Sequence, residues 1–347
     1  MAKHANLQFR DALSLAQADA MKADPSVFVF GLDVPDFKRI FGSTKGLVED
    51  FGPERCFGTP LSEDAMTGVA LGAAISGMRP VHVHIRVDFL LLAMNQIANM
   101  VSTMRYMSGG KLKVPLVIRA VVGRGWGQGA QHSKTLHNFF AHIPGLKVVM
   151  PSSPQDAYSL LKASIADDNP VVFIEHRWMY DVAGPVETDM VDELGKAKVL
   201  RKGTDVTIVT TTWMSVEALH AAKILESQGV SVEVVDVRSI APLDTATIVN
   251  SVKKTGHCIV ADYDWVFSGF SAEIMSQVSY HCFGDLKLPV ERIGFAHVPC
   301  PTTRPLENAF YPGAEQIVEM CGKMFKKTFD MKGENFYTYE NKFKGPF

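Results

Sequence analysis

The chain has 347 residues, of which 47% are hydrophobic and 21% charged, and its formal net charge at pH 7 is -2. A near-neutral chain has no general electrostatic attraction to nucleic acid or to an anionic membrane surface, and no apolar run reaches the roughly 18 residues of a membrane span. We therefore expect a globular protein with neither kind of partner, and the length favours two domains.

The N-terminal segment and the cysteines indicate the compartment. Residues 1–21, MAKHANLQFRDALSLAQADAM, lack the basic-then-apolar plan of a secretion signal and are typical of an amphipathic helix. The five cysteines are odd in number and scattered, without a C-x-x-C pair, so neither paired disulfides nor a structural zinc site is expected. These features predict a cytoplasmic protein.

Residues 1–185 alternate β-rich runs with helical stretches. The runs are SVFVFGLDV, RPVHVHIRV, VPLVIRAVV, LKVVMP and PVVFIEH, and the helices are predicted over 62–77, 89–107 and 154–167. Strands this apolar are covered on both faces, which favours an α/β domain built on a mostly parallel sheet.

The pattern lapses in a polar stretch with Gly and Pro, from which we take 186–202 as a linker. A second, smaller α/β domain follows over 203–328, with strands in DVTIVTTTW, VSVEVVDVR, HCIVAD and PVERIGF. Its helices are predicted over 214–228, 244–253, 269–281 and 313–327. The tail 329–347 is aromatic and charged without clear periodicity.

Two features of the first half suggest chemistry. In TPLSEDAMTG, Ser62 can cap a nearly chargeless helix while Glu63 and Asp64 complement its positive end, or one carboxylate can serve a buried ligand. In VHVHIR, His82 and His84 share one face of a strand, as two metal ligands could, but no third ligand is evident nearby. No strand is followed by G-x-G-x-x-G or a Walker-type loop, since GRGWGQG at 123–129 lacks that spacing.

An ordered series of motifs resembles one family. TPLSED, NQIANMVSTMRYMSGG, VPLVIRA, the run from GQGAQHSK to VVFIEH, and VVDVRSIAPLD are similar to the beta subunit of thiamine-diphosphate-dependent 2-oxo acid dehydrogenases, of the pyruvate and branched-chain type. The likeness runs from about residue 7 to about residue 325 and is strongest over 59–176. It implies a transketolase-type pyrimidine-binding domain followed by a transketolase C-terminal domain.

The resemblance also implies a partner. Enzymes of this family hold thiamine diphosphate between two domains, one of which grips the diphosphate through Mg²⁺ with a G-D-G motif. This sequence contains no G-D-G, and its nearest approach is FGDLKLP. The resemblance therefore implies a separate alpha-type subunit for Mg²⁺ and diphosphate, a beta–beta dimer within an α2β2 assembly, and docking on a lipoyl acyltransferase core.

The site residues are carried over by motif. Glu63 matches the catalytic glutamate that holds the aminopyrimidine ring nitrogen, Phe89 the aromatic ring against the pyrimidine, and His132 in AQHSK a histidine that acts in acyl transfer. His137 and His142 have no such match and are expected to be structural. The family's monovalent-cation loop, a candidate potassium site formed by backbone carbonyls, maps by position onto Leu116, Ser164, Ile165, Asp167 and Asn169. An Asp-Asn-Pro turn before a strand is the simpler alternative.

The sequence departs from the family pattern in two places. The glycine pair before Trp265 is replaced by Tyr263 and Asp264, and an aromatic tail extends past the region where family chains usually end. The resemblance as a whole leads us to expect a subunit that decarboxylates a 2-oxo acid and passes the acyl unit to lipoyl-lysine, while the departures leave room for a rival. Two alternatives stay open: a split transketolase-like enzyme that moves a two-carbon unit to an aldehyde or sugar, and a non-catalytic structural or regulatory subunit.

Overall fold

The computed structural model describes residues 4–36, 38–123 and 128–336. The chain divides into two compact units. Unit 1 comprises residues 1–123, 139–194 and 240–242, and unit 2 comprises 124–138, 195–239 and 243–347. The segment 124–138 thus belongs to unit 2 although the chain on either side of it belongs to unit 1.

Unit 1 is built on a seven-stranded sheet. In spatial order its strands are β12 (Ser239–Ala241), β6 (Lys147–Val149), β7 (Val171–His176), β5 (Val117–Val122), β4 (Arg79–His84), β2 (Val27–Gly31) and β3 (Cys56–Gly58). The pairings of β2 with β3 and β4, of β4 with β5, and of β7 with β5 and β6 are all parallel. Every residue of the central strands β2, β5 and β7 is buried, as the continuous apolar runs predict.

Helices and a small ribbon complete unit 1. The helices are α1 (Phe9–Ala23), α2 (Leu47–Phe51), α3 (Glu63–Ile75), α4 (Ser102–Met107), α5 (His137–Ala141), which continues into unit 1 from unit 2, and α6 (Pro154–Ala166). Short 3₁₀ turns cover Val87–Ala93 and Arg177–Asp181, and Asn95–Val101 is a π-helix, whereas the 3₁₀ turn Gly129–Gln131 belongs to unit 2. An antiparallel ribbon pairs β1 (His4–Gln8) with β8 (Ala183–Glu187).

Unit 2 contains a five-stranded sheet of its own. The order is β14 (Glu291–Phe295), β13 (Cys258–Trp265), β10 (Val206–Thr210), β11 (Val232–Asp236) and β9 (Lys198–Arg201). All these pairings are parallel except that of β9 with β11. Its helices are α7 (Thr212–Glu226), α8 (Thr245–Thr255), α9 (Phe270–His281), α10 (Arg304–Phe310) and α11 (Ala314–Phe325).

The structure corrects three local expectations. The first helix begins only at Phe9, because the preceding residues pair with β8. The helix predicted over 89–107 is a 3₁₀ turn, a π-helix and an α-helix in succession. At the junction with α4, Ser102 and Thr103 bond back to the carbonyls four residues earlier, which competes with regular helical bonding. The residues taken as a linker include β9, and residues 337–347 of the tail lie outside the described part of the chain.

A buried polar network lies inside unit 1. The guanidinium of Arg119 is fully buried and donates to both carboxylate oxygens of Glu175, at 2.5 and 2.9 Å. It also donates to Gln17 and Ser43, while the Tyr180 hydroxyl donates to Glu175 at 2.6 Å. A buried charge pair is tolerated only with such hydrogen bonding, because desolvation would otherwise outweigh the attraction.

Candidate functional site

A cleft opens in unit 1 where β2 and β4 end. It is open on one side and contains about 310 Å³ of space, part of which is open solvent, and its walls are Leu32, Thr59, Pro60, Leu61, Ser62, Glu63, Met66, His82, Val83, His84, Ile85 and Phe89. Ligands of parallel α/β sheets bind outside the carboxyl ends of the strands, and β2 and β4 are parallel neighbours. The position and the lining make this cleft the candidate site of unit 1.

A glycine allows the backbones of β2 and β4 to approach closely at the edge of the cleft. Gly31, the last residue of β2, has φ +155°, a conformation that L side chains rarely adopt. A Cβ on it would lie 2.1 Å from the carbonyl oxygen of Val83, a residue that lines the cleft. Only glycine fits this approach, so the floor of the cleft depends on this position.

Glu63 stands at the mouth of the cleft as the first residue of α3. Ser62 occupies the N-cap position, but its side chain makes no capping hydrogen bond. Asp64 is exposed and accepts a hydrogen bond from Gln96 at 3.4 Å. The free N–H groups of the first helical turn favour negative charge here, and of the two acids only Glu63 is among the residues lining the cleft.

Phe89 lines the same cleft. It lies in the 3₁₀ turn Val87–Ala93, where its backbone N–H donates to the carbonyl of Arg86 at 3.2 Å. Its ring is half-buried, whereas the next residue, Leu90, is fully buried. The turn therefore directs one side chain to the core and places the aromatic ring in the wall of the cleft.

Two buried histidines complete the cleft, and sequence reasoning did not assign them to it. On β4, Nε2 of His84 lies 3.2 Å from Nδ1 of His82, which is 3.5 Å from the hydroxyl of Thr67 and whose ring stacks on Phe30. Burial lowers the pKa of His84 to about 4, and burial with the neighbouring imidazole lowers the pKa of His82 well below its usual value. The signal in the sequence was their shared strand face, which also suggested metal ligands. The two rings form a hydrogen bond with each other. Among the described residues, no third potential metal ligand lies beside them.

Four of the five predicted cation-loop residues lie at the end of α6 and before β7, and the fifth, Leu116, directly precedes β5. Arg79 donates from one guanidinium nitrogen to the carbonyls of Ile165, Ala166 and Asp167, at 3.0, 3.2 and 3.2 Å. The Asp167 carboxylate accepts from Lys147 and from the backbone and side-chain nitrogens of Asn169.

The other two predicted positions are also bonded within the fold. The Ser164 hydroxyl donates to the Leu160 carbonyl at 2.7 Å, and the Leu116 carbonyl accepts from the backbone N–H of Val171 at 2.9 Å. Arg79 already donates hydrogen bonds to carbonyls that would bind a cation. A monovalent ion in this loop stays a prediction.

His132 lies in unit 2, after the 3₁₀ turn Gly129–Gln131. It is half-buried, and its backbone N–H donates to the Gly129 carbonyl at 3.4 Å. Most of the glycine-rich stretch before it, residues 124–127, lies outside the described residues. The structure thus groups Glu63 and Phe89 in unit 1 and places His132 in the other unit.

Comparison with known proteins identifies the family. Residues 5–182 match the family model of the transketolase pyrimidine binding domain, and residues 195–317 match that of the transketolase C-terminal domain. The chain therefore belongs to the transketolase-type beta subunits that include those of pyruvate dehydrogenase E1, which confirms the family and the α/β fold predicted from the motifs.

Several relatives are similar over most of their length. The chain is 43% identical over 314 residues to the mitochondrial pyruvate dehydrogenase E1 component subunit beta-1 of Arabidopsis thaliana, covering 89% of this chain and 86% of the relative. It is 39% identical over 316 residues to the corresponding subunit of Rickettsia felis, covering 91% and 97%. It is 40% identical over 331 residues to the acetoin:2,6-dichlorophenolindophenol oxidoreductase subunit beta of Cupriavidus necator, covering 92% and 98%.

A solved structure shares the fold. It is described as a split gene transketolase, inactive beta4 tetramer, and superimposes with a TM-score of 0.75 at 24% identity, covering 93% of this chain and 99% of that one. At this identity the likeness concerns the fold alone. Within the described residues, every helix is too short or too polar to cross a membrane.

Proposed function

We propose that the chain is the beta subunit of a heteromeric thiamine-diphosphate enzyme that decarboxylates a 2-oxo acid and transfers the acyl group to lipoyl-lysine. The relatives that are about 40% identical over nearly the whole chain support this class of activity. The observation that carries it is the cleft of unit 1, where the carboxylate of Glu63 and the ring of Phe89 line one space.

The cleft fits the aminopyrimidine half of thiamine diphosphate. A flat heterocycle with a basic ring nitrogen requires apolar walls, an aromatic neighbour and one well-placed acid. Met66 and Leu32 provide apolar wall, Phe89 the aromatic ring, and Glu63 the acid. The low pKa of His84 keeps its ring uncharged at neutral pH, and Glu63 is the acidic side chain among the cleft-lining residues.

The residues of this chain then have defined roles. When bound, thiamine diphosphate supplies the nucleophilic carbon and the electron sink for decarboxylation. Glu63 would hold a proton at the pyrimidine ring nitrogen through a charge-assisted hydrogen bond, which favours the tautomer required for activation. Phe89 would orient the ring, and His132 would move a proton during acyl transfer, as suits an imidazole near neutral pH.

The partner follows from what this sequence lacks. Because the chain contains no G-D-G motif, the proposal assigns Mg²⁺ and the diphosphate to an alpha-type subunit. The α2β2 assembly, the lipoyl acyltransferase core as acceptor and the cytoplasmic location are parts of the proposal that rest on the sequence, and some of the similar proteins are mitochondrial.

Reconstitution with an alpha-type chain carrying G-D-G tests the reaction. We expect 2-oxo-acid-dependent reduction of 2,6-dichlorophenolindophenol and acylation of an isolated lipoyl domain. Transfer to sugar phosphates or aldehydes with no lipoyl acylation would instead support a split transketolase. Acetoin is included as a substrate, because one relative is named for it.

A pair of adjacent carboxylates provides a matched test of Glu63. Glu63→Gln keeps the size and removes the acid, and we expect turnover to fall at least 100-fold, since general acid–base groups contribute about 10²–10⁴ in rate. Asp64→Asn changes the neighbouring acid, which bonds Gln96, and should leave turnover within twofold. Full turnover by the Glu63→Gln complex would refute the catalytic role and favour a non-catalytic subunit.

A further inference from the structure

Unit 2 contains a buried charged group that the proposed mechanism does not use. Nε2 of His137 lies 2.8 Å from Oδ2 of Asp262 and 3.9 Å from Oδ2 of Asp264. His137 is 0% exposed, and the two aspartates are 1% and 6% exposed. We call these three residues the His137 cluster.

Strand geometry explains how two acids meet one imidazole. Residues two apart on a strand point to the same face, so Asp262 and Asp264 on β13 both face His137. Tyr263, between them, instead packs its ring against Phe295 and Tyr311. Tyr263 and Asp264, where the sequence departs from the pattern it resembles, therefore supply one core ring and a second carboxylate.

Every carboxylate oxygen of the cluster has a donor. In Asp262, Oδ1 accepts from the Thr211 hydroxyl and Oδ2 bonds the imidazole. In Asp264, Oδ1 accepts from the N–H of Trp265 at 2.8 Å and Oδ2 from the N–H of Phe270, at the start of α9, at 3.1 Å. Because two acids share one buried imidazole, loss of the imidazole leaves Asp262 with one hydrogen bond fewer and without the positive charge of that ring.

The imidazole is carried by the segment that also carries His132. Within residues 129–138, Ser133, Thr135 and His137 are at most 1% exposed, and the segment is fixed at both ends. Asn138 donates to the Ser268 carbonyl at 2.7 Å. Gly129 lies so close to Thr302 that a Cβ on it would be 2.6 Å from the threonine hydroxyl.

Backbone strain marks the point of attachment. Leu136, immediately before His137, has φ +55°, the left-handed region that a branched residue adopts only when its surroundings impose it. Ser268, which accepts the bond from Asn138, has φ +54°. The two left-handed residues therefore lie beside the bond that joins Asn138 to Ser268, next to the His137 cluster.

We propose that His137 is a positioning residue, which together with Asp262 and Asp264 fixes the segment 129–138 and thereby places His132 for acyl transfer. The role given to His132 rests on the proposed function, whereas the anchoring of the segment does not. His137 was expected from the sequence to be structural, and on this proposal its structural role also serves the acyl-transfer step.

Two variants and a control test the proposal in the reconstituted complex. His137→Leu removes the bond, His137→Gln keeps a neutral donor, and His142→Gln changes a nearby exposed histidine. For His137→Leu we expect lipoyl-domain acylation to fall at least tenfold while dye-coupled decarboxylation stays within twofold. His137→Gln, which keeps a donor but no charge, should fall between the two, with acylation lowered about two- to fivefold, and His142→Gln should match the wild type in both assays.

Hydrogen exchange separates this inference from the proposed function. The peptide 129–138 should exchange faster in His137→Gln than in the wild type, with the strands of unit 2 unchanged, and this readout requires no activity. If His137→Leu fails to fold, His137→Gln decides: wild-type exchange and wild-type acylation in that variant would overturn the proposal. Unchanged acylation in His132→Ala would refute the role of His132 and leave the exchange test intact. One metal ion per chain, lost in His137→Leu, would also overturn it, because a metal rather than a proton would then join the cluster.

Discussion

Acidification should destabilise this protein through His84, the histidine in the wall of the cleft. Burial lowers the pKa of His84 to about 4, whereas an unfolded histidine titrates near ~6.5. Below about pH 6.5 the unfolded chain therefore binds a proton at this histidine, whereas the folded chain stays unprotonated there until the pH approaches 4. The free energy of unfolding therefore falls as the pH falls. From pH 7.5 to 5.0 this one group accounts for roughly 2 kcal/mol, by the relation between pKa shift and free energy.

The assay is urea unfolding of the wild type and of His84→Gln at pH 7.5, 6.0 and 5.0. Glutamine keeps a polar group of similar reach and does not titrate. The wild type should lose about 2 kcal/mol more than the variant over this range. His82, whose low pKa comes first from burial, remains in both proteins and largely cancels. A difference between the two proteins that stays constant with pH would refute the reasoning, as would an NMR titration of His84 near its unfolded value.

Two further substitutions test the framework of unit 1. Gly31→Ala would place a methyl group 2.1 Å from the Val83 carbonyl oxygen and should abolish soluble expression or lower Tm strongly. The control Gly72→Ala, with open space at its Cβ inside α3, should be neutral or stabilising by up to about 1 kcal/mol. Equal Tm values for the two variants would contradict this reasoning. Glu175→Gln leaves the buried Arg119 guanidinium without its negatively charged partner, and the free energy of unfolding, measured with urea, should fall by roughly 3–5 kcal/mol. A loss below about 1 kcal/mol would show that the ion pair contributes little to stability.

Local patterns were sufficient for most of the elements. The apolar run of β7 and the chargeless helix after Glu63 were both predicted, because each signal is contained in a few consecutive residues. The pairing of β1 with β8 was missed, since His4 lies opposite Glu187 and neither strand has a strong pattern of its own. Strand β9, only four residues long, was taken as a linker for the same reason.

The site residues likewise separate into those that the sequence predicted and those that only the structure shows. Motif resemblance selected Glu63, Phe89 and His132, and alternation put His82 and His84 on one face. Sequence alone did not show that these two rings join the cleft, because that depends on how β4 lies beside β2. The bond from His137 to Asp262 spans 125 positions and involves residues without a motif, so no local pattern predicted it.

The way the chain alternates between its two units bears on how such a gene can evolve. A fragment that begins at Gly195 would carry the acids of β13 without the imidazole that joins them, because that imidazole is encoded more than fifty codons upstream. Recombination at the apparent domain border would thus leave two carboxylates buried in the new product without the imidazole that pairs with them. Exchange of the C-terminal half between related genes should succeed only when the donor also contributes the short stretch around position 137.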